Sequence, residues 1–407
     1  MNIGIVTTWF ERGGAYVSRQ YREVLQGPHR VFVYARGGEK RAKNDPRWAD
    51  GTVTWARPSP VRVSTSFDLA QFRGWIRERA LDLVFFNEQH WWPPVMLCSD
   101  MGVRTGAYVD YYTEATVPAF GCYDFLVCNT KRHHSVFRWH PQAFYVPWGT
   151  DTRVFSPAAR GARSSGPVTF FHSAGCAPQR KGTDLLLQAF AGIALNARLV
   201  VHTQVPLEGE AAALADRLQR EGRLQVELAD VGPPGLYHRG DVYVYPSRLD
   251  GVGLTVAEAL ACGLPVIATD APPMNEFVTA DVGWLVRVER QYARGDGYYW
   301  PLSIADVDDL RRAMHAVAER PEALPATSRR AREYALAELD WRTNAAGLPD
   351  LFRGARAVDE QVKQRGREAA RRLENERTDR MSRLALESPV LYRVTRWILR
   401  RFGKRYI

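Results

Sequence analysis

The chain has 407 residues, of which 45% are hydrophobic, 11% aromatic and 25% charged, and its formal net charge is +10. This length exceeds one ordinary hydrophobic core and predicts two domains, while the composition excludes a disordered or fibrous protein. The five cysteines form no CxxC pair, which argues against a zinc site or a disulfide framework and indicates reduced thiols, as in a cytoplasm.

The positive charge is concentrated at the end of the chain. Residues 351–407 contain 16 Lys+Arg against 7 Asp+Glu, so the rest of the chain is nearly neutral. A nucleic-acid enzyme more often carries basic stripes beside its cleft, and we therefore expect no nucleic-acid partner. The first residues, MNIGIVTTWF, predict a strand rather than a signal peptide, and no apolar run approaches the ~20 residues that cross a bilayer.

The first part of the chain alternates short apolar runs with helical or loop segments, as in a doubly wound α/β domain. The predicted strands are 2–7, 30–35, 52–55, 83–87, 106–110, 125–129 and 144–147. A segment rich in Pro, Gly and Ser, from Val146 to Pro167, is a predicted linker. We therefore assign residues 1–150 to a first Rossmann-like domain.

The alternation then resumes. The predicted strands are 168–173, 198–203, 224–228, 242–246, 265–269 and 284–286. These runs predict a second Rossmann-like domain over residues 151–340. An irregular aromatic loop is expected after Arg287, and residues 341–407 are predicted to be basic C-terminal helices.

The segment 242–276 is the most informative part of the chain. VYVYP has the β-branched and aromatic composition of a buried parallel strand, GVGLTVAEALACG predicts a helix ended by glycine, and PVIAT predicts a second buried strand. A helix start with free N–H groups at the carboxyl ends of parallel strands suits a diphosphate. Two carboxylates, Asp250 and Glu258, bracket this turn.

Four segments together resemble the GT-B glycosyltransferases, and among them the retaining family 4, also called group 1. These are Gly13-Gly14 after the first strand, VPWGTDTRVFSP at the hinge, QRKGTDLLLQAF, and SRLDGVGLTVAEALACGLPVIATD. The resemblance covers about residues 2–334. It implies an α/β GT-B fold with two Rossmann-like domains facing each other across a cleft, a nucleotide-diphosphate-sugar donor, and no metal or other cofactor.

In the second domain, the resemblance places Glu258 at the second carboxylate of an E-x7-E motif, which binds the ribose hydroxyls. Asp250 takes the place of the first, which contacts the donor sugar near its anomeric centre. Because aspartate is shorter by a methylene, a shifted sugar or a different donor is implied. The alternatives are a solvated helix residue for Glu258 and a helix cap for Asp250. The backbone and hydroxyl groups expected to line the sugar and the nearer phosphate belong to Gly251, Val252, Gly253, Leu254 and Thr255.

Lys181 matches the lysine that offsets phosphate charge in the family, where no metal does so. The arginine that usually precedes this lysine by about half a dozen residues is absent. Arg180 is a possible substitute, although neighbouring residues at a helix start point in different directions, and a solvated charge is the alternative. Gly13 and Gly14 would let the first loop approach the donor phosphates or the acceptor without a Cβ clash, or else form a simple turn.

Asp110 occupies about the place of a family histidine that follows a strand of the first domain. We expect it to orient the acceptor or the transferred sugar, with a structural turn residue as the alternative. The predicted catalytic residues are therefore Asp250, Lys181 and Asp110. His133 and His134 are expected at a helix start in the outer layer, away from catalysis.

Two further patterns have simpler interpretations. Asp306-Val307-Asp308 has the DxD form of metal-dependent enzymes, but acids in a first helical turn offset the helix dipole. Three aromatic groups could stack on sugar rings or pack in loops: His90-Trp91-Trp92, Tyr111-Tyr112 and Tyr298-Tyr299-Trp300.

The segment 388–407 forms an amphipathic pattern if it is helical. It has six basic and no acidic residues after Ser388. Such a helix could lie on an anionic membrane surface or pack back on the first domain. An oligomer contact through 358–383 is another option.

The sequence thus predicts a cytoplasmic, metal-independent, retaining glycosyltransferase, located at the inner membrane face if the basic tail binds lipid. It would transfer a hexose-type sugar to a hydroxyl of a carbohydrate or glycolipid acceptor, in polysaccharide, lipopolysaccharide or other glycoconjugate assembly. The alternatives are a sugar-nucleotide epimerase of the same fold and a non-catalytic sugar-nucleotide-binding or scaffold protein. The base, the sugar, the acceptor and the oligomeric state stay open.

Overall fold

The protein is described here from a computed structural model that covers residues 1–59, 63–157, 166–193 and 196–387, together with residues 390 and 394. Its first sheet has seven parallel strands in the order β3-β2-β1-β4-β5-β6-β7. The strands are β1 (Asn2–Thr8), β2 (Arg30–Gly37), β3 (Val53–Trp55), β4 (Leu83–Asn87), β5 (Arg104–Tyr108), β6 (Phe125–Cys128) and β7 (Ala143–Tyr145). The helices between them are α1 (Gly13–Leu25), α2 (Glu39–Ala42), α3 (Leu69–Glu78), α4 (Pro93–Asp100) and α5 (Lys131–Phe137).

The central strands of this sheet are covered on both faces. All five residues of β4, LVFFN, are buried, as are the four residues of β6, FLVC. Such continuous apolar runs are typical of parallel sheets with helices on both sides. Asp68 caps α3 and Thr130 caps α5, each accepting backbone N–H bonds in the first turn.

The second sheet has six parallel strands in the order β10-β9-β8-β11-β12-β13. The strands are β8 (Val168–Gly175), β9 (Ala197–Thr203), β10 (Leu224–Leu228), β11 (Val242–Tyr245), β12 (Val266–Thr269) and β13 (Gly283–Val286). The helices are α6 (Thr183–Ala191), α7 (Gly209–Arg220), α8 (Leu254–Ala261), α9 (Met274–Phe277), α10 (Val307–Glu319) and α11 (Leu324–Glu338). Two facing Rossmann-like halves confirm the predicted fold class, while 1–150 and 151–340 remain our proposed domain bounds.

The expected irregular loop after Arg287 is in part an antiparallel hairpin, so this prediction is wrong. Strands β14 (Val288–Tyr292) and β15 (Leu302–Ala305) pair with each other. Strand β14 is charged and exposed, and β15 has only four residues, LSIA, interrupted by a serine, so neither gave an apolar strand pattern. The hairpin tip reaches the first domain, where Tyr299 N donates to Tyr112 O at 2.9 Å and Tyr298 donates to Asp110 O at 3.1 Å.

The chain crosses between the two halves twice, and the two crossings lie side by side. Thr150 N donates to Leu339 O at 2.8 Å, and Trp341 N donates to Thr150 O at 3.0 Å. A Cβ on Gly149 would lie 2.6 Å from Leu339 O, so only glycine allows this close approach. These contacts define the hinge of the molecule.

After the hinge the chain returns to the first domain. The last helices are α12 (Trp341–Asn344), α13 (Leu348–Gly354) and α14 (Glu360–Glu387). Phe352 packs on Phe85 and Phe125, with ring centroids 5.0 and 5.1 Å apart. Lys363 of α14 forms an ion pair of 2.7 Å with Asp124, whose side chain is 1% exposed.

The predicted amphipathic tail, 388–407, lies outside the described residues except for positions 390 and 394. Within the part of the chain that the structure describes, no helix is both long and apolar enough to cross a bilayer.

Candidate active site

The N-termini of two helices meet across the cleft between the sheets. Gly13 is the first residue of α1 and Leu254 the first of α8, and a Cβ on Gly13 would lie 3.6 Å from Leu254 Cδ1. The first N–H groups of a helix have no partner within it and favour an anion. The predicted glycine loop and the predicted diphosphate turn therefore face each other.

Gly182 allows the turn that carries Lys181 to pack close to the start of α8. Gly182 has a φ of 74°, and a Cβ there would lie 2.0 Å from Pro246 O. The turn before α6 thus packs against the end of β11. Lys181 consequently contacts the loop that follows β11, although the two segments lie far apart in sequence.

Lys181, Asp250 and Tyr245 form a closed triangle of contacts. The Lys181 ammonium donates to Asp250 Oδ2 and to the Tyr245 hydroxyl, and that hydroxyl donates to the same Oδ2. The ammonium also lies 4.8 Å from the centroid of the Tyr245 ring. The side chains of Lys181 and Asp250 are only 14% and 13% exposed, so this pair is largely removed from water.

The charges of this triangle stabilise each other. Burial acts to raise the pKa of Asp250, but the Lys181 and Arg180 charges outweigh it and hold that pKa below its ordinary value. Burial lowers the pKa of Lys181, and Asp250 opposes this shift. Asp250 Oδ1 also accepts from Gly253 N at 3.1 Å, so Asp250 both orders its own loop and pairs with the lysine.

Arg180 contacts the same loop, contrary to the expectation that it and Lys181 point in different directions. Its guanidinium donates to Leu249 O at 2.9 Å. Both residues precede the first helical turn of α6, where the helical spacing that separates neighbours does not apply. Two cations therefore lie beside the start of α8.

Glu258 lies in the middle of α8, where Tyr237 donates to its Oε2 at 2.5 Å. Burial raises the pKa of Glu258 to about 7, with the Tyr237 hydrogen bond opposing the shift. Thr255 Oγ1, one turn earlier, is buried and has no hydrogen-bond partner among the described residues. The α8 face thus carries a carboxylate and a hydroxyl in positions of low solvent access.

Two carboxylates of the first domain lie on its side of the cleft: Asp110 faces the loop before α8, and Glu88 faces the start of α1. A Cβ on Gly251 would lie 2.3 Å from Asp110 Oδ1, and a Cβ on Gly14 would lie 3.0 Å from Glu88 Oε1. Burial, and then the neighbouring Glu88, raise the pKa of Asp110 to about 7, against the effect of Arg132. Asp110 and Glu88 therefore form an acidic pair at the start of α1, beside the ends of β4 and β5.

Arg132 and His133 connect the two halves at the same loop. Arg132 donates to Asp250 O at 2.5 Å and to Pro272 O at 2.7 Å. His133 lies 3.2 Å from Gly251 O, is fully buried, and has its pKa held well below the usual value by that burial. The prediction of an outer-layer histidine is wrong here, because α5 turns this residue toward the cleft.

The aromatic groups pack mainly on one another. Tyr111 stacks on Tyr298 at 5.2 Å, and His90 meets the edge of Tyr111 at 4.8 Å. Trp92 and Tyr112 belong to the core, with 2% and 1% exposure. These rings join the hairpin tip to the first domain beside Asp110.

The DxD pattern serves as a helix start. Asp306 caps α10 and accepts from Asp309 N at 2.8 Å. Over the ranges that the structure covers, no group of three or more His, Cys, Asp or Glu side chains is placed to hold a metal ion.

The structure adds four residues to the site that sequence reasoning missed: Glu88, Arg132, Tyr237 and Tyr245. Glu88 directly follows the predicted strand LVFFN, so its place at a strand end was a usable signal. Tyr245 ends β11, and only packing brings it to Lys181. Arg132 and Tyr237 had no local signal, because their partners are distant in sequence.

Known proteins share this architecture. Residues 166–295 match the family model "Glycosyl transferases group 1". The lipopolysaccharide core biosynthesis mannosyltransferase LpsB of Rhizobium meliloti is 32% identical over 153 residues, which is 32% of this chain and 41% of that protein. A GDP-mannose-dependent phosphatidylinositol dimannoside mannosyltransferase of Mycobacterium tuberculosis is 25% identical over 56% of this chain and 61% of its own length. The chain thus spans about half the length of the curated relatives it matches.

Solved structures agree over a larger part of the chain. HepE of Anabaena, solved in complex with UDP and glucose, has a TM-score of 0.64 at 16% identity, covering 87% of this chain and 99% of HepE. Sucrose-phosphate synthase from Thermosynechococcus elongatus has a TM-score of 0.63 at 17% identity over 87% of this chain and 98% of its own.

The two facing parallel sheets and the cleft between them define a GT-B protein. Its second half contains a segment, residues 166–295, that matches the group 1 glycosyltransferase model, as the motifs predict.

Proposed function

We propose that this protein is a glycosyltransferase that moves a hexose-type sugar from a nucleotide-diphosphate sugar to a hydroxyl, with retention of configuration and without a bound metal. The observation that carries the proposal is the meeting of the α1 and α8 N-termini beside the paired Lys181 and Asp250. This arrangement offers positive charge and backbone donors to a diphosphate, and carboxylates to the sugars attached to it.

The leaving diphosphate would be stabilised by Lys181, by Arg180 and by free backbone donors. In the described parts of the chain, the N–H groups of Gly251 and Val252 have no hydrogen-bond partner. Fixed donors and cations in a poorly hydrated cleft stabilise developing charge more than water does. These groups would take the role that a divalent cation has in metal-dependent transfer.

The sugars would be held by the carboxylates on both sides of the cleft. Glu258 is assigned to the ribose hydroxyls, and Asp250 to the hydroxyls of the donor sugar. Asp110 faces Gly251 from the first domain and is assigned to the transferred sugar or the acceptor hydroxyl. Retention is part of the proposal because the site motifs resemble those of retaining enzymes.

The acceptor class is proposed from the relatives. Their names concern lipopolysaccharide core and phosphatidylinositol mannoside synthesis. We therefore propose a saccharide or glycolipid acceptor, reached at an anionic membrane surface. The surplus of basic residues in the sequence 351–407 supports the membrane part. Binding to vesicles of anionic lipid, compared with neutral lipid, tests that part separately.

A thermal-shift panel of UDP- and GDP-sugars tests the donor assignment. A ligand that binds the folded state raises stability by RT ln(1 + [L]/Kd), so the donor should give the largest shift. Lys181→Ala should strongly reduce this shift and Glu258→Ala should abolish it. Lys131→Ala is the matched control, because Lys131 is an exposed lysine at the start of α5. The donor should raise the melting temperature of this variant as much as that of the wild type.

Product analysis then separates the possible reactions. With donor and acceptor present, the anomeric signal in proton NMR should show the configuration of the donor. Conversion of donor alone into an isomer would indicate an epimerase instead. Normal donor shifts in both site variants, or no shift with any nucleotide sugar, would overturn the proposed function.

A further inference from the structure

Three buried tyrosines line the inner side of the candidate donor site. Tyr237, Tyr243 and Tyr245 are 4%, 0% and 0% exposed. Tyr237 meets Tyr243 at 5.7 Å, edge to face, and Tyr243 stacks on Tyr245 at 5.6 Å. We call these three residues the tyrosine row. Tyr243 and Tyr245 share one face of β11 because strand side chains alternate.

Each hydroxyl of the tyrosine row lies behind a different residue assigned to the donor. Tyr237 donates to Glu258, and Tyr245 contacts both Asp250 and Lys181. The Tyr243 hydroxyl lies near that of Thr255, although the two do not form a hydrogen bond of good geometry. One layer of rings thus supports the ribose, sugar and phosphate residues together.

Tyr245 is the member of this row whose hydroxyl contacts both a cation and a carboxylate. Its ring is held by Tyr243 on one side and by His172, at 6.4 Å, on another. The hydroxyl accepts from the lysine and donates to the carboxylate, which a neutral phenol can do and a phenylalanine cannot. Burial raises the pKa of Tyr245 well above its ordinary value, so the phenol stays neutral.

We propose that Tyr245 is a positioning residue of the donor site: its hydroxyl fixes Lys181 and Asp250 relative to each other, so that the ammonium meets the diphosphate and the carboxylate meets the sugar. This inference rests on the proposed function. It makes Tyr245 a determinant of donor affinity that need not touch the donor.

Tyr245→Phe tests the proposal, with Tyr21→Phe as the matched control. Tyr21 is likewise 0% exposed, and its hydroxyl donates to Asn129 Oδ1 at 2.6 Å in the first domain. Calorimetric titrations with UDP-glucose and GDP-mannose measure donor affinity. We expect Tyr245→Phe to weaken the affinity by about 10- to 100-fold, since hydrogen bonds to charged groups are lost. Tyr21→Phe should change it less than about twofold, even if it lowers the melting temperature as much.

A double-mutant cycle separates positioning from a merely structural role. In an Asp250→Asn background, Tyr245→Phe should reduce affinity by a smaller factor than in the wild type, because its charged partner is already gone. An equal factor in both backgrounds would overturn the proposal. So would wild-type affinity in Tyr245→Phe while Lys181→Ala still loses donor binding, and that outcome leaves the proposed function intact. Absence of donor binding by the wild-type protein would instead overturn the proposed function, and this inference with it.

Discussion

The two faces of the cleft differ in how their carboxylates are partnered. On the second domain, Asp250 accepts hydrogen bonds from Lys181, Tyr245 and Gly253. On the first domain, Asp110 Oδ1 is buried without a hydrogen bond of good geometry among the described residues, His133 Nε2 lies 3.9 Å away, and Glu88 is a neighbouring charge of the same sign. Asp250 and its partners are therefore preorganised before a ligand binds, whereas Asp110 keeps a buried oxygen that a ligand hydroxyl would satisfy.

The largest expected effect concerns the preorganised face. Lys181→Ala removes the ammonium that pairs with the buried Asp250 and leaves that carboxylate with only the Tyr245 and Gly253 hydrogen bonds, so it should lower the free energy of unfolding by about 3–5 kcal/mol. The double variant Lys181→Ala/Asp250→Asn should recover most of that loss but no donor binding. Urea unfolding of the single and double variants measures the free energy of unfolding of each. A double variant as unstable as the single one would show that the pair is not the cause.

Replacing Asp110 on the first domain should have the opposite effect on stability. Asp110→Asn removes a like charge beside Glu88, so stability should be unchanged or higher. Turnover should fall by about 100-fold or more, as for the loss of one positioned acid–base group, while donor affinity changes much less than it does in Lys181→Ala. Steady-state kinetics combined with titration measures this. A loss of donor affinity in Asp110→Asn as large as that in Lys181→Ala would contradict the assignment of donor binding mainly to the second domain.

The contact between the faces is tested at Gly251. Gly251→Ala places a methyl group against Asp110 and should cost about 1–3 kcal/mol, as overpacking does. Asp110→Ala should relieve most of this cost, which thermal unfolding of the single and double variants would show. Gly347, with open space around its Cβ position, is the control site for an alanine substitution.

Glu258 gives a smaller effect that depends on pH. Its pKa is raised to about 7 in the folded protein, mainly by burial, so between about pH 4.5 and 7 the folded state holds a proton that the unfolded chain has lost. The stabilisation is therefore present at low pH and disappears as the pH rises through 7. Glu258→Gln should remove this dependence, worth about 1–3 kcal/mol. Unfolding at pH 5 and pH 8 compares the variant with the wild type, and an identical slope would contradict the assignment.

The sequence predicted the sheets well because parallel strands bury both faces. LVFFN at 83–87 is fully buried and forms a strand with the predicted bounds, and LQVEL at 224–228 also has the predicted bounds although it is an edge strand with only Leu224 buried. The hairpin β14–β15 escaped prediction because its strands pair only with each other, β14 exposes charged side chains, and β15 has only four residues. The local hydrophobic pattern therefore identified the strands of the two sheets and missed this short hairpin.

The sequence predicted site residues only where their spacing within one segment of the chain places them together. Asp250 and Glu258 share one loop and helix, and the pattern places them together. Tyr245 and Glu88 act through contacts across the sheet ends, which depend on how the elements pack. Glu88 also has a φ of 52°, a backbone geometry that its residue type does not predict.

The ion pair between Lys363 and Asp124 bears on how the protein matures as it is synthesised. The two residues are 239 positions apart, and Asp124 is 1% exposed. A ribosome that has released the whole first sheet has not yet made the cation that its buried carboxylate requires. The first half of the molecule is therefore expected to reach its final stability last, and nascent chains that end before α14 should be the preferred substrates of proteases.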